Sequence, residues 1–284
     1  MSRNIGSPSP MQPLSVGNVV SAAMRLYRSH FKDYFLLALK AYLWVLVPVY
    51  GWAKFSALTA LISRLAFGEL VNQPESISSG TRFVNSRLWQ FLLATLLLLL
   101  IGIGIGLGFL IVFFVFSFVL GVLIGGIGQQ VNFATSLVFG LIGLLIGIVM
   151  FVAVFWLVTR FYLVDVPLAI EDGIDGASAI SRSWELTQGY VWRILLIGFV
   201  GFLITLPIQI VVQIASRVLQ FAFFPLLQEG SAIYNLLFIV LILALSFSSS
   251  ALIVPFLQSI KAVVYYDLRS RREGLGLKLR DREI

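Results

Sequence analysis

Cysteine is absent from the 284 residues, and histidine occurs once, as His30. The first absence excludes disulfides, thiolate metal sites and thiol nucleophiles. The second leaves too few imidazoles for the multi-histidine clusters of metal hydrolysis. Charge is scarce as well. Asp, Glu, Lys and Arg make up 12% of the chain, against roughly 25% in a soluble globular domain. The balance is apolar, 59% of the residues, in continuous runs of about twenty residues and more. A β-barrel would alternate in segments of roughly ten. The fold class that follows is all-α: a polytopic helical membrane bundle.

The net charge of +7 does not point to nucleic acid, because the basic residues gather at the two ends and beside apolar runs. That pattern suits anionic lipid headgroups as the partner. The N-terminus, MSRNIGSPSPMQPLSVG, has no apolar core of a cleavable signal peptide, and residues 1–14 read as a disordered lead-in to a single transmembrane domain over 15–266.

From Ser15, an N-cap, a helix is expected with Val16, Val19, Val20, Ala23, Leu26 and Tyr27 on one face, lying in the membrane interface. The first span is expected over about 34–53, with Lys40 and Lys54 snorkelling to opposite headgroup layers. Residues 55–71 read as an interfacial helix, followed by the loop NQPESISSGTRFVNSR. The run from Leu88 to Gly128 would form a helix of roughly 60 Å, twice the hydrocarbon thickness. It is therefore expected as two spans, about 88–107 and 109–128, broken at Gly102, Gly104, Gly106 and Gly108. A second solution makes 55–71 a span or re-entrant segment and leaves one long span later. Further spans are expected over about 134–159, 192–215 and 233–264, six in all. Gly102/Gly106, Gly104/Gly108 and Gly121/Gly125 have the small-xxx-small spacing that lets membrane helices approach closely, and Gly140, Gly143 and Gly147 fall on or near one packing face. Gln209, Gln213 and Ser246 to Ser250 place polar groups inside the membrane, to bond neighbouring helices or to line a path.

Six spans put both termini in the cytoplasm by the positive-inside rule. Arg25, Arg28, Lys32, Arg160, Arg182, Arg193 and the basic residues from Lys261 onward then lie inside, and Arg64, Arg82, Arg87 and Arg217 lie outside. The polar island from Val166 to Arg193 falls on the cytoplasmic side. Within it Asp175 caps an amphipathic helix over about 176–188, with Ala177, Ile180, Trp184 and Thr187 on its less polar face. The last span continues into a basic cytoplasmic tail over 267–284, whose start carries Asp267/Arg271 and Arg269/Glu273 as i,i+4 pairs. A structural network of Arg182, Trp184, Glu185, Arg193, Asp267, Arg269 and Arg271 is expected there, with a solvated lipid-binding tail as the competing reading.

The string Ala179, Arg182, Ser183, Trp184, Thr187, Gly189, Trp192 and Arg193 resembles the signature of the bacterial glycerophosphoryl diester phosphodiesterase membrane-domain family and related integral membrane proteins. The ending YYDLRSRREGLGL and the opening PLSVGNVVSAAMRLYRSHFK are similar to that family too. The stretch WVLVPVYGWAK looks like its cyanobacterial members, which implies a bacterial inner membrane or a thylakoid membrane. In fused members the phosphodiesterase is a separate soluble barrel, for which this chain has no room. No catalytic residue, metal site or cofactor is expected. The function read from the sequence is a non-enzymatic scaffold, assembly factor or partner-binding subunit with a membrane protein as partner. The alternative is a transporter or channel for a small or lipid-derived solute.

Overall fold

The computed structural model describes residues 14–126 and 133–274. Of the expected lead-in over 1–14 all but Leu14, whose N–H donates to Asp267 Oδ1 at 3.2 Å, and of the expected tail the part beyond 274, lie outside them. Among the described residues the chain forms ten helices and no strand. Four of these are long and apolar enough to cross a membrane, over Leu88–Val122, Ser136–Ile170, Val191–Gln228 and Ala232–Glu273.

Helix α1, Val16–Ser29, opens where the Ser15 side chain accepts from the Asn18 N–H, and it buries Val19, Val20 and Ala23. The expected first span over 34–53 is instead broken in two. Helix α2, Phe31–Val45, and helix α3, Tyr50–Leu70, form an antiparallel hairpin. Pro48 has no N–H to continue the helix, and Val49 takes φ 60°. The chain reverses so tightly that a Cβ at Gly51 would stand 1.9 Å from the Trp44 carbonyl oxygen, which leaves room for glycine alone. His30 faces Glu69 at 3.5 Å across the open end, and the rings of Trp44 and Tyr50 meet at 5.6 Å across the closed one. Residues 55–71 are therefore not interfacial. Ala57, Leu58, Ala60, Leu61 and Ile62 are buried on successive faces of α3, and this helix is the centre of the core. The stretch expected as a loop contains α4, Ile77–Ser86, capped by Ser76.

Helix α5, Leu88–Gly126, runs without a break through Gly102 to Gly108, so the expected pair of spans is one helix. Each glycine lowers helix stability by about 1 kcal/mol. Unpairing several backbone groups in hydrocarbon costs several kcal/mol apiece, so a continuous helix wins. Helix α6, Phe133–Arg160, leads to α7, Asp165–Ile170, and α8, Gly176–Thr187. Helices α9, Val191–Gln228, and α10, Ala232–Glu273, are joined through Gly230 at φ 71°. They continue through Pro207 and Pro225, and through Pro255.

Burial is uneven along the long helices. In α9 the buried residues stop at Thr205, and in α10 they begin at Ser249. On α5, Phe91 is 1% exposed and Phe114 is 77% exposed. The chain is thus a packed base, built from α1 to α4, α7, α8 and the near ends of the long helices, with apolar arms leading away. The base gathers charge that the six-span reading had divided. Arg64 donates to the Ala169 carbonyl at 2.8 Å and Arg87 to the Glu171 carbonyl at 2.6 Å, so both arginines lie beside the island rather than across from it. The cause is the α2–α3 hairpin, which returns the chain to the side it started from.

Candidate functional site

The island sits in the base because α8 is fastened at both ends. Asp175 accepts from the Ser178 N–H at 2.7 Å. That backbone bond and the Ser178 hydroxyl hold its carboxyl below the ordinary value. The Gly176 N–H donates to Gln90 Oε1 of α5 at 2.9 Å. At the other end Ser183 Oγ donates to the Arg160 carbonyl at 2.8 Å and accepts from the Leu163 N–H at 3.3 Å. These bonds rotate α8 away from the face expected from sequence. Ala179, Ser183, Leu186 and Thr187 are buried, while Ala177 is exposed. Trp184 instead covers Arg160, whose guanidinium lies 4.1 Å from its ring centroid and donates to the Trp184 carbonyl at 3.0 Å. The cation therefore meets the negative end of the α8 dipole in place of a carboxylate.

Asp267, 5% exposed, is the hub of one ionic cluster. Its Oδ2 accepts from Arg193 at 2.6 Å and from Arg271 at 2.9 Å, and its Oδ1 accepts from the Leu14 N–H at 3.2 Å. Arg193 also donates to the Leu14 carbonyl. The start of α1, the start of α9 and the end of α10 are tied at one point. Arg182 is the hub of a second cluster. It pairs with Glu171 at 3.1 Å, with Glu185 at 3.7 Å and with Glu273, which Arg269 also meets at 2.9 Å. Burial disfavours the Arg182 charge, but the hydrogen bonds to Glu273 and Glu171 outweigh it and raise its pKa. Tyr265 donates to Glu171. The seven residues expected as a network thus divide into two ionic clusters plus the Trp184 lid.

Sequence reading missed two further groups, because their partners are distant in the chain. Arg64 meets Glu75 at 2.5 Å, and the Phe83 ring lies between Arg64 and Arg87, with centroid distances of 3.8 and 4.4 Å. Asp165 accepts from Lys261 at 2.8 Å and from Gln258 at 3.0 Å, beside a cavity of about 280 Å³ that Ser56, Thr59 and Thr95 also line.

The arms are different. A Cβ at Gly102, Gly106, Gly121 or Gly147 would meet nothing within 4 Å, and one at Gly143 would touch only the Phe116 ring, at 3.6 Å. The surroundings of Gly125 lie outside the described residues. Gln209 donates to Thr205 of its own helix at 2.9 Å, and Ser249 to the Ser246 carbonyl of its own helix at 2.9 Å. These polar groups do not tie α9 to α10. Among the described residues no group of three His, Asp or Glu side chains could hold a metal ion. The base and arms together define an all-helical protein with four helices fit to cross a membrane. No family model matches the chain, and neither a curated protein nor a solved structure matches it.

Proposed function

We propose that the chain is a non-enzymatic scaffold of a bacterial inner or thylakoid membrane, with its base in the cytoplasm and its arms holding a membrane-protein partner. The observation that carries this reading is the open glycine row Gly102/Gly106 on α5, which no described residue of this chain meets; on α6 Gly147 is open as well, while Gly143 meets the Phe116 ring of α5. Small residues in rows let a foreign helix approach closely, which is how helices associate where lipid removes the hydrophobic drive. The cytoplasmic side is supported by the charge of the base, which collects Arg25, Arg28, Arg64, Arg87, Arg182, Arg193 and the arginines ending α10. The resemblance of the stretch from Ala179 to Arg193 to the glycerophosphoryl diester phosphodiesterase membrane domains is in keeping with this reading, since in fused members the membrane module is separate from the catalytic barrel.

Purification in mild detergent tests it. A stoichiometric membrane-protein partner is expected with the wild-type chain, and Gly102→Leu/Gly106→Leu should release it without lowering the thermal stability of the chain. A partner retained by that variant, or none found with the wild type, would sink the proposal. A second reading, a carrier of a lipid-derived solute, draws support from the cavity between α2, α9 and α10.

A further inference from the structure

Between Thr205 and Gln220 the polar residues of α9 are Thr205, Gln209, Gln213, Ser216, Arg217 and Gln220. At roughly 100° per residue all six fall within an arc of about 120°, on a helix otherwise apolar over this stretch. The arc faces a cavity of about 410 Å³ where Gln209 and Gln213 meet Tyr42 of α2 and Ser249 and Ser250 of α10. Among the described residues Gln213 has no hydrogen-bond partner, and Arg217 reaches only Gln220, at 3.4 Å, and no carboxylate. A guanidinium and free carboxamides on a membrane helix are retained where something polar meets them.

Depth identifies that group. The polar turn from Gln228 to Ser231 marks the far end of the α9–α10 arm. From Glu229 back to Gln209 is about 30 Å at roughly 1.5 Å per residue, one hydrocarbon thickness. The cavity therefore lies at the headgroup level of the leaflet nearer the base. Trp52 and Tyr50 at the α2–α3 tip are exposed, as aromatic side chains near a headgroup layer are. Arg217 stands two turns deeper than Gln209, where its guanidinium meets Gln220; a stem of this length can turn towards the headgroup level to meet a phosphate. Deeper still, Phe221 and Phe224 line an open apolar surface beside Arg217.

We propose that this face binds an anionic phospholipid of the base-side leaflet. Its hydroxylated headgroup occupies the cavity, its phosphate meets Arg217, and an acyl chain lies along Phe221 and Phe224. The charge selects the class: the cavity lining holds no Asp or Glu, so nothing there favours a cationic headgroup, while the guanidinium is a bidentate phosphate donor. The site is independent of the scaffold reading, since it uses neither glycine row.

The test is native mass spectrometry of the full chain, delipidated and then titrated with phosphatidylglycerol or phosphatidylcholine. One phosphatidylglycerol should be held in preference to phosphatidylcholine. Arg217→Gln should weaken it about tenfold, the loss of one charge-assisted hydrogen bond, and Gln213→Leu should weaken it as well. Arg25→Gln/Arg28→Gln, on the exposed face of α1, should leave it unchanged. Equal retention of the two lipids would overturn the proposal. So would a folded Arg217→Gln variant that binds like wild type, or an equal loss in the α1 variant. Displacement by soluble glycerol phosphate at similar concentration would replace the lipid with a free solute and overturn it too.

Discussion

Asp267→Asn keeps the shape of the side chain and removes the one negative charge between two guanidiniums. Arg193 and Arg271 donate to the same oxygen at 2.6 and 2.9 Å, and the carboxylate is 5% exposed. Removing one partner of a buried ion pair costs about 3–5 kcal/mol. The side chains of Arg193 and Arg271 are 23% and 21% exposed, so water relieves part of the uncompensated charge, and about 2–3 kcal/mol is expected. For a chain of this size that lowers the melting temperature by roughly 5–10 °C, measured by tryptophan fluorescence during heating in detergent. A double-mutant cycle with Arg193→Gln should give a coupling of at least about 1 kcal/mol. Reversal of charge at Arg182 should not couple, since Arg182 belongs to the other cluster. A melting temperature unchanged within about 1 °C, or strict additivity with Arg193→Gln, would refute the hub.

Two further expectations concern the base. At Gly176 a Cβ would lie 2.7 Å from the Gln90 carbonyl and 2.9 Å from the Ala94 nitrogen. Gly176→Ala should therefore push α8 from α5 and cost about 1–3 kcal/mol, while Gly147→Ala, which meets nothing, should be neutral or slightly stabilising in the same thermal assay. At Glu75 burial opposes ionisation, but the hydrogen bonds from Arg64 and Ser79 and the Arg64 charge win and lower its pKa. A folded pKa below the unfolded one gives stability that is present above the ordinary carboxylate range and lost as the pH falls through it. Glu75→Gln should flatten that acid limb and lower stability at neutral pH; an acid limb identical to wild type would count against the Arg64–Glu75 pair.

Much of the base was legible because its signals are local. Ser15 and Asp175 cap helices from their own sequence positions, and the i,i+4 pair Asp267/Arg271 needs only helical spacing. The face of α8 was not legible, because a hydrogen bond from Ser183 to the Arg160 carbonyl and one from the Leu163 N–H turn Ser183 inward, and no periodicity encodes a bond to another part of the chain. The sequence by itself decided that the chain is helical and apolar enough for a membrane: 12% charge leaves helices or a closed barrel as the ways to satisfy the backbone in hydrocarbon, and apolar runs of about twenty residues without alternation favour helices. Only the tertiary structure decided how those helices are used. The glycines of α5 permit either a break or a continuous helix, and hydrogen-bond continuity selects the latter. Pro48 permits either a kinked span or a reversal, and the reversal buries α3 on all sides. That second choice brings Arg64 and Arg87 to the island, because the free energy of packing a whole hairpin exceeds the local preferences at its turn.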